Sequence, residues 1–163
     1  MYKLYFLISR LQKRRVQLNK KTSKTLQRII DYIEAYYNLY IKRKWSSDNH
    51  LQLNKIKRDQ KIIVSLTSYP KRIDTIWLTI TSLFKQSMKP DLIVLWLAKS
   101  QFKTLDDLPD SLKRLQKYGL KIKLCDDLKS HKKYYYALKE FNEDIVILAD
   151  DDMFYPNDTS HQH

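Results

Sequence analysis

A chain of 163 residues with a formal net charge of +13 is long enough for one domain with a real core, yet short for an enzyme that must hold two substrates. A single glycine, Gly119, excludes the P-loop and the dinucleotide fingerprint, both of which are built on glycine. A single cysteine, Cys125, excludes disulfide pairing and zinc spacing; it fits a reduced compartment and is expected to be a small buried apolar residue rather than a catalytic thiol.

The charge is unevenly spread. Residues 1–61 hold 16 Lys/Arg against 4 Asp/Glu, and residues 62–163 hold 15 against 14, so the basicity belongs to an N-terminal arm. The apolar run Tyr2–Ile8 meets Arg10 too soon to span a bilayer, and no small-residue cleavage site follows. From Ser23, an N-cap residue type, Leu26, Ile29, Ile30, Ile33, Tyr37, Tyr40 and Ile41 keep helical spacing on one face, which predicts an amphipathic helix of about five turns. Its flanks carry Lys13-Arg14-Arg15, Lys20-Lys21 and Lys42-Arg43-Lys44 with Trp45 nearby, a pattern that suits peripheral contact with an anionic membrane surface. The same stripe would serve a helix packed on the rest of the chain with its lysines in solvent. Basic clusters among aromatics also mark nucleic-acid binding, but no recognised motif of that kind is present. Residues 1–49 are therefore the basic helical arm, and the polar break Ser46–His50 opens a linker over residues 50–60.

Behind the linker, Lys61–Leu66 is β-branched and reads as a first strand that ends on Thr67-Ser68-Tyr69-Pro70. Asp74 is placed to cap a helix whose apolar face includes Ile76, Trp77, Ile80, Leu83 and Phe84, closed by Lys89-Pro90. Asp91–Leu97 is a second strand, Leu108–Tyr118 a second helix stopped by Gly119, and Lys121–Leu124 a third strand. Lys132–Phe141 is a third helix and Ile145–Ala149 a fourth strand. Alternating strands and helices of this length predict right-handed βαβ units on a parallel sheet, with flanking helices. In the usual doubly wound order 3-2-1-4, the first and fourth strands adjoin where the winding reverses, and ligands bind beyond their carboxyl ends. The turn at Tyr69-Pro70 and the triplet Asp150-Asp151-Asp152 would then meet in one crevice.

That triplet carries the chemistry. Ile145–Ala149 is apolar without alternation, as in a strand buried on both faces. Adjacent carboxylates at its end repel one another unless a cation or hydrogen-bond donors lie between them, and oxygen-only ligands suit Mg²⁺ or Mn²⁺. An ordinary turn or a helix cap also accommodates such a triplet. His161 and His163 are spaced to share a metal or to lie in a frayed tail; His50 and His131 have no second histidine at that spacing and are expected to be surface residues.

Ile63–Ile73, then Ser82-Leu83 with Gln86, then Lys89-Pro90-Asp91, then Asp150-Asp151-Asp152 before Tyr155-Pro156, resemble the first half of family-2-like bacterial glycosyltransferases of the GT-A fold. The resemblance covers about Lys61 to Pro156. It implies a partial GT-A, Rossmann-like sheet of about four strands over residues 61–156, holding the donor half of an enzyme that moves a sugar from a nucleotide diphosphate, UDP foremost, to a glycan or lipid-linked acceptor. It also implies that Thr67, Ser68, Tyr69 and Pro70 line the nucleotide with Arg72 close by, that Asp126 or Asp127 faces base or ribose, and that Lys133 approaches phosphate unless it is simply solvated. Asp150 and Asp151 would face ribose and metal, with Asp150 and Asp152 as ligands of Mn²⁺ or Mg²⁺.

The general base of an inverting member would lie beyond Pro156. Residues 157–163 are polar, without apolar pattern, and are expected to be a disordered tail after a truncation, which would leave the fourth strand as an unprotected apolar edge. The implied setting is cytoplasmic, with the arm against the inner face of the cell membrane. The competing expectation is a non-catalytic membrane- or nucleic-acid-binding protein acting through the arm. A nucleotidyltransferase on a similar sheet would normally place a glycine-rich loop where Tyr69-Pro70 stands.

Overall fold

The structure, a computed structural model, describes residues 50–155 together with Arg28, Tyr32, Tyr36, Leu39, Tyr40 and Arg43, which are helical. The remainder of the predicted basic arm, the tail at 157–163 and the pair His161 and His163 lie outside the described residues. Among the described residues no helix is long and apolar enough to cross a membrane.

The domain follows a β-α alternation: β1 (Ile62–Thr67), α1 (Ile76–Phe84), β2 (Leu92–Ala98), α2 (Asp110–Gln116), β3 (Leu120–Cys125), α3 (Lys132–Glu140) and β4 (Ile145–Leu148), with a single 3₁₀ turn at Lys129–His131 leading into α3. All strands are parallel in the order β3-β2-β1-β4. This is the α/β fold with flanking helices expected from the sequence. β1 pairs β4 from Ile62 opposite Ile145 to Ser65 opposite Leu148, so the carboxyl ends of the first and last strands lie side by side at the reversal of the winding.

Burial explains the pattern. β1 and β2 occupy the middle of the sheet, and Ile63, Leu66, Ile93, Val94, Leu95 and Leu97 are all but inaccessible. Every residue of α1 is buried, so the helix has no charged face, and its three hydroxyl residues, Thr79, Thr81 and Ser82, all hydrogen-bond inside the protein. On the other face of the sheet, Ile63, Val94, Trp96 and Cys125 pack with Ala137 of α3, and Tyr136, Phe141 and Val146 close around them. The fully buried polar residue of β1, Ser65, is satisfied: its hydroxyl donates to the Lys133 carbonyl at 2.5 Å and accepts from the Trp96 indole N–H at 3.0 Å. Cys125 is buried as expected, and burial pushes its thiol pKa up, away from a reactive thiolate.

Three expectations are corrected. Asp74 is exposed and does not cap α1; Thr75 is the N-cap residue and makes no side-chain cap bond, because the Arg72 carbonyl already accepts from the N–H groups of Thr75 and Ile76 in the preceding turn. Residues 50–60, read as a linker, lack helix and strand but pack on the domain. Leu51 is buried, and Asn54 and Arg58 both donate to the Asp91 carboxylate, at 2.5 Å and 3.0 Å. Gly119, at φ 107°, lies against Leu53, where a Cβ would collide with the leucine methyl. Finally, β4 is not buried on both faces. Ile145, Ile147 and Leu148 are 47%, 41% and 46% exposed, since β4 is an edge strand and α3 reaches only part of one face.

The two edges differ in protection. β3 alternates Lys121 and Lys123 with apolar residues, the usual guard against strand addition, whereas β4 has no charge. A groove of about 300 Å³ runs beside this bare margin and is lined in part by Ile147, Leu148 and Gln86. The Gln86 Oε1 is the buried side-chain acceptor that lacks a partner among the described residues. Placing Ile147→Lys on this margin should lower concentration-dependent light scattering while costing less than about 1 kcal/mol in chemical denaturation; unchanged scattering would show that association runs through another surface.

Asp91 ties the first strand to the segment before it. Burial pushes its carboxyl pKa up, but hydrogen bonds from the Ile62 N–H and the Asn54 amide, with the Arg58 charge, outweigh that and leave it below its ordinary 3.8. A depressed native pKa supplies stability that is complete above the unfolded value and is lost as pH falls through the folded one. Asp91→Ala is expected to cost about 1–3 kcal/mol at neutral pH and to flatten the loss of stability below about pH 4, both readable from urea melts across pH.

Candidate functional site

The loop after β1 and the turn after β4 converge on a cleft of about 450 Å³. Ser68 donates its hydroxyl to Asp151 Oδ2 at 2.7 Å, and Arg72 holds Asp151 Oδ1 at 2.6 Å and Asp152 Oδ2 at 2.9 Å. Thr79 of α1 donates to the Asp151 carbonyl at 3.1 Å. Asp151 is thus the inward member of the triplet, 11% exposed at its side chain, while Asp150 and Asp152 are 65% and 52% exposed. The Asp151 carboxylate raises the Arg72 pKa further, so that guanidinium stays charged. Its plane also lies over the Tyr69 ring, 5.5 Å from the centroid, which fixes an aromatic face at the mouth of the cleft.

The far side of the turn is pinned by residues of α1 and the loop after it. The Tyr155 N–H donates to Ser82 Oγ at 3.2 Å, and the Gln86 amide donates to the carbonyls of Ser82 and Tyr155 at 3.1 Å and 3.3 Å. Tyr155 in turn accepts the Asp150 N–H on its hydroxyl at 2.8 Å, and burial pushes its phenol pKa up, so it remains a neutral partner. The segments that carry the resemblance, Ser82, Gln86 and Tyr155, therefore have a shared structural task. They hold the acidic turn open at a fixed place.

The side of the cleft under β3 is built from α3 and the turn before it. Lys133 reaches Asp150 Oδ1 at 2.5 Å; it is neither a solvated helix lysine nor a loose cation. Asp127 receives the Lys132 ammonium at 2.8 Å, the Lys129 N–H at 2.9 Å and the Gln101 amide at 3.3 Å. The Lys132 hydrogen bond, then that of Lys129, holds the Asp127 carboxyl below the ordinary carboxylate range.

Of the residues singled out from sequence, Thr67, Ser68, Tyr69, Arg72, Asp127, Lys133, Asp150 and Asp151 line this one cleft. Pro70, Asp126 and Asp152 do not, although Asp152 meets the cleft residue Arg72 at 2.9 Å. Asp126 points into a neighbouring groove beside Tyr134 and Tyr135, with its nearest cation Lys99 at 3.8 Å. His131 is exposed but not partnerless, since the Tyr134 hydroxyl lies 2.9 Å from its Nδ1. Gln101, Lys129, Ser130 and Lys132 also line the cleft and were not singled out. The available signal was the run Lys129–Lys133 at the start of a helix, directly after an Asp pair.

The triplet's mutual repulsion is relieved by Arg72 and Lys133, which supply the positive charge that the sequence demands there. Among the described residues no three His, Cys, Asp or Glu side chains converge as a ready cage. Asp150 and Asp152 are carboxylates of the kind that a hard divalent ion takes one or two at a time, completed by water and phosphate oxygens. Each engages a basic group through one oxygen, Asp150 through Oδ1 and Asp152 through Oδ2. No protein-family model matches this chain, and neither does any curated protein or solved structure.

Unequal burial across the triplet gives unequal costs. Asp151→Ala leaves Ser68 without its acceptor and Arg72 with the exposed Asp152 alone, and should lower stability by about 1–3 kcal/mol. Asp152→Ala removes an exposed carboxylate and should stay within about 0.5 kcal/mol of the parent. Thermal melts of the two variants side by side test the ranking; equal losses would deny Asp151 its anchoring part.

Proposed function

We propose that this domain binds a nucleoside diphosphate sugar through a divalent ion, as the donor half of a glycosyltransferase of the GT-A type. The observation that carries this reading is the convergence of Ser68 and Arg72 with Asp151, at 2.7 Å and 2.6 Å, across 83 and 79 positions of sequence. Both loops bearing the resemblance enter one cleft at the reversal of the sheet, where nucleotides bind in open α/β folds.

Each group has a task under this reading. Thr67, Ser68 and the Tyr69 ring line the nucleotide, Asp127 accepts from its hydroxyl or ring donors, and Arg72 and Lys133 face its phosphates. Asp150 and Asp152 would hold Mn²⁺ or Mg²⁺, which on binding supplies positive charge against the negative charge that develops on the departing diphosphate. That replaces the glycine-rich loop which a one-glycine chain lacks. The acceptor, a glycan or lipid-linked molecule, and the base that activates it are assigned to no residue described here. The basic arm would place the domain at the inner, anionic face of a cell membrane.

Titration calorimetry with UDP and Mn²⁺ should give saturable binding below about a millimolar. Chelation with EDTA and the double substitution Asp150→Asn with Asp152→Asn should each abolish most of it. A wild-type protein that shows no heat with UDP and Mn²⁺ over that range overturns the reading.

A further inference from the structure

We propose that Lys132 is a positioning residue: it fixes the Asp127 carboxylate as an acceptor-only group at one end of the cleft, so that the bound molecule must present hydrogen-bond donors there and its anionic part at the other end. This rests on the nucleotide reading above and adds an orientation to it.

Lys132 is the buried lysine at the first position of α3, with 3% of its side chain exposed, while its partner Asp127 is 31% exposed towards the cleft. A lysine buried that far is retained only when it is paired. Its side chain is almost wholly buried although the residue borders the cleft, and its ammonium, spent on the Asp127 carboxylate at 2.8 Å, acts on a ligand through that group. Two further donors complete the hold, Lys129 from the 3₁₀ turn through its N–H and Gln101 from the loop after β2 through its amide. Lys129 takes φ 53°, the one left-handed non-glycine residue among those described. A carboxylate so held offers its remaining lone pairs and has no proton to give. The adjacent Asp126 plays no part, being 83% exposed and turned to Lys99.

Elsewhere in the cleft Arg72 and Lys133 are paired with the three carboxylates of the acidic turn, so that part gains a net positive charge only when a divalent ion joins the turn. With the ion in place a nucleoside diphosphate would fit in one orientation, with ribose hydroxyls or a ring N–H at Asp127 and the diphosphate at the ion, Arg72 and Lys133.

The test compares Lys132→Met, Asp127→Asn and the double variant for binding of two probes with Mn²⁺, UDP and inorganic pyrophosphate. Methionine matches the lysine stem in volume, so the fold should survive, and a thermal melt checks this. Lys132→Met should weaken UDP by about 10- to 100-fold, the loss of a charge-assisted hydrogen bond, and leave pyrophosphate unchanged; the double variant should bind UDP no worse than Asp127→Asn alone. Wild-type affinity for UDP in Lys132→Met, or equal losses for both probes, overturns the proposal. A wild-type protein that binds neither probe defeats the nucleotide reading by itself, and the positioning role is then judged by the ¹³C titration of the Asp127 carboxyl. A titration below the carboxylate range in the wild type that returns to it in Lys132→Met upholds that role; an ordinary titration in both refutes it.

Discussion

The site depends on one carboxylate. Asp151 joins β4's turn to β1's loop through Ser68 and Arg72, and its carbonyl is held by Thr79 of α1. Parallel strands alone bring the two loops to the same end of the sheet; they do not fix the distance between them, because each loop leaves its strand free. The clamp closes that freedom. It also explains why the middle residue of the triplet is the inward one. Ser68, Arg72 and Thr79 all converge on Asp151, so the inward side is where the donors are.

Much of the architecture was legible because its signals are local and repeated. The β-branched runs, the apolar α1 and the stop at Gly119 each specify an element without reference to the rest, and the alternation of elements then leaves few topologies. What misled was burial. Ile145–Ala149 has the composition of a central strand, but whether a strand is central depends on what lies next to it, and on β4's free side the described residues place nothing. The same limit affects Asp74, which is a good cap by type, while the backbone turn from Arg72 had already satisfied the N–H groups that a cap would serve.

The site was legible in its residue types and less so in its pairings. Thr67, Ser68, Tyr69, Arg72 and the triplet could be named from sequence, since a polar loop and an acidic turn at strand ends are visible there. The identity of the counter-charge was not. The triplet requires a cation, and a metal ion was the expectation, yet Arg72 and Lys133 already provide protein cations. Lys132 escaped notice for a related reason. A lysine in the run Lys129–Lys133 looks solvated in sequence, and only packing against the end of β3 shows which of the neighbouring amines is buried.

The presence of those cations bears on how a metal and a diphosphate would enter together. Asp127, Asp150, Asp151 and Asp152 face Lys132, Lys133 and Arg72, with Lys129 on the same rim, so the cleft by itself is close to electrically balanced. A free divalent ion would have to displace Lys133 or Arg72 from its carboxylate without recompense, and a free diphosphate would meet the acidic turn. A metal–diphosphate pair avoids both costs. Under the proposed reading Asp150 and Asp152 would give their oxygens to the ion, and Lys133 and Arg72 would turn towards the phosphate oxygens, each charge exchanging one partner for another of the same sign. If the proposed reading holds, the ion and the nucleotide would bind with positive coupling, and by linkage each would raise the affinity of the other by the same factor.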